Sequence, residues 1–427
     1  MKQAFVILEC VNHMSYVLRE AKSRGFHIVV LNHRPIKETG PYGIARSSID
    51  ELIHIESWQD EARVGGLLED LHRRYRVIGT YAGFEATLPY EAKLRQLADL
   101  PNNGEATVRS ILDKAWVRKK LYAEGLSKLR SVLLSEAEHW TTWQLEGPAV
   151  LKPVNGTGSA MCYFVSSIAE LRKAIEEVKA APVVDRLMKE YIVSRGDFVL
   201  EGKAEGELLS AESLVDRGTL HFIGLSSRYV LASDPVVEMG ISFPYKHPRL
   251  EEIAALSKAI HKSTNVFHGT THLEFIVPKA GPIELIDFNV RFAGIDSLIG
   301  LNEAFGIRFE ACLTDLACGL HPDLSFLSRP SRYASQVMVL PPPGATEMQE
   351  LVFPPEVVFK RLTKDPGAKL SGRADQLDHV GVCMVTADTP AELHQRALDV
   401  RRRIAFNGTP LGDNVNNVVT CSEFVME

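Results

Sequence analysis

Between residues 272 and 291 the chain alternates side-chain character with a period of two, and a β-strand is the regular conformation that turns such a pattern into two faces. His272, Glu274 and Ile276 fall on one face, Leu273, Phe275 and Val277 on the other. After the turn Pro278-Lys279-Ala280-Gly281-Pro282, a second strand puts Asp287, Asn289 and Arg291 on one face. One face is apolar, so this sheet must lie against a core. The other carries carboxylates that adjacent strands bring together. Hard divalent cations take oxygen ligands, and magnesium is held by one or two carboxylates plus substrate phosphates. Glu274, Asp287 and Asn289 are therefore a candidate ligand set. A solvated polar sheet face is the other reading of any one of these carboxylates taken alone. The guanidinium of Arg291, two residues beyond Asn289, suits a substrate carboxylate and the charge that builds up when its carbonyl is attacked.

The rest of the chain fits mixed α/β and α+β architecture. Short apolar runs at 4–8, 25–31 and 76–79 alternate with a helical stretch at 15–24, which predicts parallel βαβ units. The first turn reads Glu9-Cys10-Val11-Asn12-His13-Met14 with no glycine, so a dinucleotide fingerprint is missing and NAD or FAD is discounted. Over 107–124 the apolar residues Val108, Ile111, Leu112 and Ala115 recur at helical spacing, with Lys114 beside that face. Strands at 149–153 and 161–165 read as a hairpin around Gly156-Thr157-Gly158-Ser159. A helix follows, opened by the Ser167/Glu170 capping box. Strand signals dominate over 199–237. The last region holds a strand at 380–386 and a helix capped by Thr389-Pro390.

Composition narrows the function classes. The 427 residues suggest two to four domains at about 100 to 200 residues each. Forty-eight basic against 54 acidic residues, a formal charge of −6, and no extended basic block argue against nucleic acid as a partner. Six cysteines without a Cys-x-x-Cys pair make zinc and a disulfide framework poor readings, and a reducing compartment fits them. The apolar run at 4–8 is too short for a signal sequence or membrane span, so a cytoplasmic protein with no membrane partner is expected.

A Gly-x-Gly-Ser tip lets backbone N–H groups approach phosphate oxygens without a Cβ in the way. Taken alone, such a tip is more often a tight hairpin. Lys152, on the incoming strand, adds a point charge for the same phosphates.

The ordered set of Lys114, Lys152 before Gly156 to Ser159, Glu190-Tyr191-Ile192 before Asp197, His272-x-Glu274, and Asp287-x-Asn289-x-Arg291-x-x-Gly294 resembles the ATP-grasp superfamily. The run Arg291-Phe292-Ala293-Gly294, the segment around Glu238 and the C-terminal stretch are most similar to the L-amino-acid (dipeptide) ligases. The resemblance implies an ATP-grasp fold with an N-terminal Rossmann-like pre-ATP-grasp domain (1–104), a nucleotide-binding region (105–325) with a glycine-loop lobe at about 115–192, and a C-terminal α+β ligase domain (326–427). It implies that Lys114 and Lys152 hold ATP phosphates while Gly156, Thr157, Gly158 and Ser159 close over them. Glu190, Tyr191 and Ile192 would read adenine, Asp197 the ribose, and Ile276 would pack on the base. Glu274, Asp287 and Asn289 would hold two magnesium ions, with manganese as a substitute. Arg291 would stabilise the acyl-phosphate and tetrahedral species.

Two departures stand out. Asp287 replaces the glutamate of many relatives, and Gly125-Leu126-Ser127-Lys128-Leu129 replaces Gly-Leu-Pro-x-Pro. The implied activity is ATP-dependent ligation of a small carboxylic acid to an amino acid, giving a dipeptide or related amide, ADP and phosphate. Glu238, Gly294 and Ile295 are the candidate substrate contacts; for Glu238 a solvated loop carboxylate is the competing reading. His221, His247, His268 and His272 are expected to be structural or solvated rather than catalytic. The alternatives are a carboxylase-type enzyme activating bicarbonate or formate, and a nucleotide-binding protein without turnover. The resemblance also admits a homodimer.

Overall fold

The computed structural model describes residues 1–156, 161–180, 198–294, 296–328, 330–370, 378–412 and 418–420. Four parallel strands, β1 (Gln3–Leu8), β2 (His27–Asn32), β3 (Glu51–His54) and β4 (Arg76–Ala82), lie in the order β3-β2-β1-β4. The unbroken apolar runs of β1 and β2 are buried on both faces, as parallel strands sandwiched by helices require. The βαβ expectation therefore holds, with helices Met14–Ser23 and Glu61–Arg74 as the crossovers.

This unit is pinned to the rest of the chain through helix Leu88–Leu97. Arg95 donates to the carbonyl oxygens of Ala317 (2.9 Å) and Leu316 (3.3 Å) at the end of helix Phe309–Ala317. Gly79 sits at the same seam, where a Cβ would stand 2.7 Å from the Phe5 ring and 2.8 Å from Cys318 Sγ. Beside Arg95, burial pushes the Glu91 carboxyl up to about 7, against the opposing pull of Arg95 and a hydrogen bond from Thr80. The folded chain thus holds a proton that the unfolded chain releases near pH 4.5, so Glu91 contributes stability below that pH which is lost as pH rises through about 7. Its side chain keeps 17% of its surface, so screening trims the effect to about 2 kcal/mol. Urea unfolding at pH 5 and pH 8 should show a smaller decline for Glu91→Gln than for the parent; equal declines would refute the assignment.

The second sheet is antiparallel: β5 (Ser131–Leu133), β6 (Ala149–Pro153), β7 (Tyr163–Val165) and β8 (Phe198–Gly202), in the order β5-β8-β6-β7. Helix Ile168–Ala180 covers it with Leu171, Ile175 and Val178. The third sheet has nine strands among the described residues. It runs β13 (Glu284–Asn289), β12 (Gly269–Val277), β9 (Glu207–Asp216), β10 (Thr219–Leu231), β11 (Asp234–Tyr245), β14 (Tyr333–Val339), then Gly381–Ala387 and Phe359–Leu362, with Val418–Thr420 beside β10. Strands from both sides of residue 326 share this sheet. Helix Pro390–Arg403, capped by the Thr389 side chain, closes it with Leu393, Ala397 and Val400 buried.

Two local expectations are corrected. The helical stretch at 107–124 is two helices, Glu105–Leu112 and Lys114–Ala123, because Asp113 leaves helical geometry (φ −86°, ψ 100°) to cap the second. The second metal strand ends at Asn289, so Arg291 lies beyond it in a bend rather than on the strand face.

Candidate active site

The break at Asp113 aims Lys114. The Asp113 carboxylate accepts from Trp116 N (2.9 Å), which makes Lys114 the first helical residue. Its amide donates to Val154 O (3.1 Å) and its ammonium to Gly156 O (3.2 Å), and Asp287 Oδ1 stands 2.8 Å from Nζ. Burial works against that charge, but Asp287 outweighs it and raises the lysine above its ordinary value. Lys114 thus joins the start of the glycine loop to the carboxylate strands. Asp113→Ala should cost about 1 kcal/mol in denaturant unfolding and weaken ATP binding as Lys114 loses its aim. Unchanged affinity would show that the cap does not position the lysine.

Lys152 is buried, ion-paired to Glu201 and hydrogen-bonded to Ile286 O (2.8 Å). Glu201 also takes Arg118 Nε at 3.0 Å, and Arg118 reaches Ser127 Oγ (2.9 Å) and Glu284 (3.5 Å). Burial disfavours the Glu201 charge, yet Arg118 and Lys152 hold its carboxyl below the ordinary value. Ser127 Oγ donates to Glu284 (2.6 Å), so the departure at Gly125-Leu126-Ser127 supplies a hydroxyl that ties the turn to β13.

The register places Glu274 opposite Asp287 and His272 opposite Asn289. Asn289 Nδ2 donates to Asp287 Oδ2 (3.0 Å). Among the described residues no group of three His, Cys, Asp or Glu side chains forms a metal cage. Two opposed carboxylates and an amide are instead an oxygen set that fits magnesium completing its shell with phosphate and water. Arg228, almost wholly buried, stands 3.3 Å from Glu274 Oε1 and 3.3 Å from Glu238 Oε1. Burial pushes the Glu274 carboxyl up, but His272 and Arg228 outweigh it and hold the group well below the usual carboxylate range. His272 bridges Glu212 (2.8 Å) and Glu274 (3.2 Å); burial would lower its imidazole, yet the two carboxylates raise it to about 9.

Arg291 donates through Nε (2.9 Å) and Nη2 (2.6 Å) to Glu85 Oε1, and through Nη1 to Phe292 O (2.9 Å). Burial opposes its charge and Glu85 restores it. A Cβ on Gly294 would meet nothing within 4 Å, so the backbone after Arg291 borders open space. Ile276 is half-buried on β12. Thr157, Gly158, Ser159, Glu190, Tyr191, Ile192, Asp197 and Ile295 lie outside the described residues.

The structure brings together Lys114, Asp287, Asn289, Glu274 and Arg291. It corrects the loop reading of Glu238, which belongs to β11 and faces buried Arg228. Sequence reasoning missed Glu85, Arg118, Glu201, Glu212 and Arg228, each of which has a partner between 44 and 206 residues away. An aspartate before a helical run was the available signal for the cap at Asp113.

Residues 145–298 match the sequence pattern of the ATP-grasp domain. The chain is 22% identical over 311 residues to dapdiamide A synthase of Enterobacter agglomerans, spanning 68% of this chain and 70% of that protein. Its fold matches an L-amino acid ligase from Bacillus licheniformis with a TM-score of 0.77 at 18% identity, covering 95% and 98% of the two chains. It also matches the biotin carboxylase domain of a Hydrogenobacter thermophilus 2-oxoglutarate carboxylase, with a TM-score of 0.69 at 15% identity, covering 99% and 94%. The chain thus carries an ATP-grasp domain within the overall fold of the ATP-grasp ligases, with a likeness to amino acid ligases along most of its length.

Proposed function

We propose that the protein is an ATP-dependent carboxylate–amine ligase that makes a dipeptide or related small amide. The observation that carries this reading is the convergence of Lys114, Asp287, Asn289 and Glu274 with Arg291 held ready by Glu85. This set supplies cations for phosphates, oxygens for a metal and a buried guanidinium for an anionic acyl group. A nucleotide-binding protein without turnover has no use for the last of these.

Lys114, Lys152 and Gly156 would hold the triphosphate, with Thr157, Gly158 and Ser159 closing over it. Glu190, Tyr191, Ile192, Asp197 and Ile276 would take the nucleoside. Glu274 and Asp287, with Asn289, would hold two magnesium ions, which when bound neutralise charge on the transferring phosphoryl group. In the first step a carboxylate oxygen of the acid bonds to the γ-phosphorus as the bond to the β–γ bridging oxygen breaks, releasing ADP. Arg291 steadies the acyl phosphate. In the second, the amine nitrogen attacks the acyl carbon, phosphate leaves with the C–O electron pair, and the amine proton passes to water or phosphate. Between attack and departure of phosphate, Arg291 would face the tetrahedral oxyanion. Among the described residues His272 is committed to Glu212 and Glu274, so we assign it no proton-transfer role. Gly294 and Ile295 would border the acceptor, and Glu238, tied to Arg228, would attract its amino group.

Among the described residues no helix is long and apolar enough to cross a membrane. The partners we propose are a small carboxylic acid and an amino acid.

The test is ADP release with ATP and magnesium across pairs of acids and amino acids, with mass spectrometry of responding mixtures. Release that needs both substrates and yields their summed mass less water is expected. Release that needs bicarbonate and no amine would replace the ligase by a carboxylase-type reaction.

A further inference from the structure

Asp296 follows the Arg291–Gly294 run and stands at the head of helix Ser297–Phe305. An aspartate in that place ordinarily turns its side chain back onto the first amides of the helix. Here the backbone carbonyl accepts from Ile299 N (3.1 Å) and Gly300 N (3.3 Å), while the carboxylate makes no cap bond. The carboxylate, fully buried, goes instead to three donors from distant segments. Arg361, on the strand Phe359–Leu362, grips it as a fork, with Nε on Oδ1 (2.9 Å) and Nη2 on Oδ2 (2.9 Å). Gln336 on β14 donates to Oδ2 (2.8 Å), and the Tyr42 hydroxyl of the N-terminal unit donates to Oδ1. Burial and the Asp296 charge push the Tyr42 phenol up, so it stays a donor.

These contacts hold one end of a short segment that begins at Arg291. At the other end Glu85, also from the N-terminal unit, holds the Arg291 guanidinium. Ser297 N closes a turn onto Gly294 O (3.0 Å), and at Gly294 the backbone borders open space. All three donors to Asp296 lie outside residues 145–298, the part of the chain that matches the ATP-grasp domain. The flanking regions therefore meet that domain just behind Arg291. We propose that Asp296 is a positioning residue for acyl transfer: through Tyr42, Gln336 and Arg361 the N- and C-terminal regions fix the turn from Gly294 to Ser297, and with it the segment that carries Arg291. This role rests on the ligase reading of Arg291. Small misplacements of reacting groups are costly in rate. A loosened turn would let the amine fall out of line with the acyl phosphate, and water would compete for it.

Asp296→Ala would strand the mostly buried Arg361 guanidinium at the expense of the fold. The donors are changed instead. Tyr42→Phe keeps the ring against Tyr16 and Phe359, and Arg361→Lys keeps the charge and loses the fork. Amide hydrogen exchange of the full chain, read by mass spectrometry, needs no substrate. In both variants it should speed up by about tenfold or more at Ser297, Ile299 and Gly300 and stay unchanged in β12 and β13. Turnover is read with ATP, magnesium and a mixture of the common amino acids with acetate, propanoate and succinate. Amide formation should fall about tenfold or more, and ADP released per amide formed should rise about twofold or more as water takes the acyl phosphate. The Kd of a non-hydrolysable ATP analogue should stay within about twofold of the parent's. A purely structural role would lower the folded fraction and leave ADP per amide at the parent's value.

Unchanged exchange at the turn in both variants would overturn the proposal. Faster exchange with parent-like amide formation and parent-like ADP per amide would overturn it too, and in both cases the ligase reading stands on the parent's turnover. An idle parent whose turn loosens in the variants would sink the ligase reading and leave Asp296 as the anchor of this segment. An idle parent with unchanged exchange would reject both.

Discussion

Replacing Glu274 by alanine is expected to lower magnesium-dependent ADP release by about 1,000-fold or more, while the protein stays folded. Glu274 faces Asp287 across the β12/β13 register, and losing one of two carboxylates halves the anionic donors offered to magnesium. A metal that stabilises transition-state charge by several kcal/mol accounts for a loss of that size. The fold should survive because no buried cation is orphaned. Arg228 keeps Glu238 at 3.3 Å, and His272 keeps Glu212 at 2.8 Å. Breaking a buried pair is costly when it strands the partner, which is not the case here. Rates measured over a magnesium titration, beside circular dichroism of the variant, decide the matter. Activity within tenfold of the parent would remove Glu274 from the metal site.

Replacing Arg291 by alanine should cut kcat about 100- to 1,000-fold, the usual effect of deleting one oxyanion donor, with little change in ATP affinity. The split follows from the geometry. In the proposed reading nucleotide phosphates would fall to Lys114 and Lys152, whereas Arg291, held by Glu85 and Phe292 O, would face the acyl group. Lysine at this position should recover little, since an ammonium lacks the planar fork that grips Glu85 through both Nε and Nη2. Single-turnover rates with saturating ATP test this directly. A variant that loses ATP binding but turns over normally at high ATP would make Arg291 a phosphate ligand instead.

Much of the scaffold could be read from local pattern. Alternation over 272–277 gave both faces of β12, and the apolar runs of β1 and β2 gave a parallel sheet, because strand periodicity and burial on one or two faces act over a few residues. The same reasoning failed at Asp113, where hydrophobic spacing continued across a side chain that caps a new helix. Periodicity registers which residues face the core and says little about a single residue's choice between continuing a helix and starting one.

The sequence by itself determined several of the strands and the polar and apolar faces of β12, and it marked the candidate metal and phosphate groups. Only the tertiary structure decided which charges meet. Glu85 reaches Arg291 from 206 residues away, Glu201 reaches Lys152 from 49, and Arg228 lies between carboxylates of two different strands. Such pairings depend on strand order in the sheet and on how the N-terminal unit docks against it, and neither leaves a periodic trace in the chain. The physical reason is burial: a charge removed from water must find its counterion wherever the fold brings one within reach.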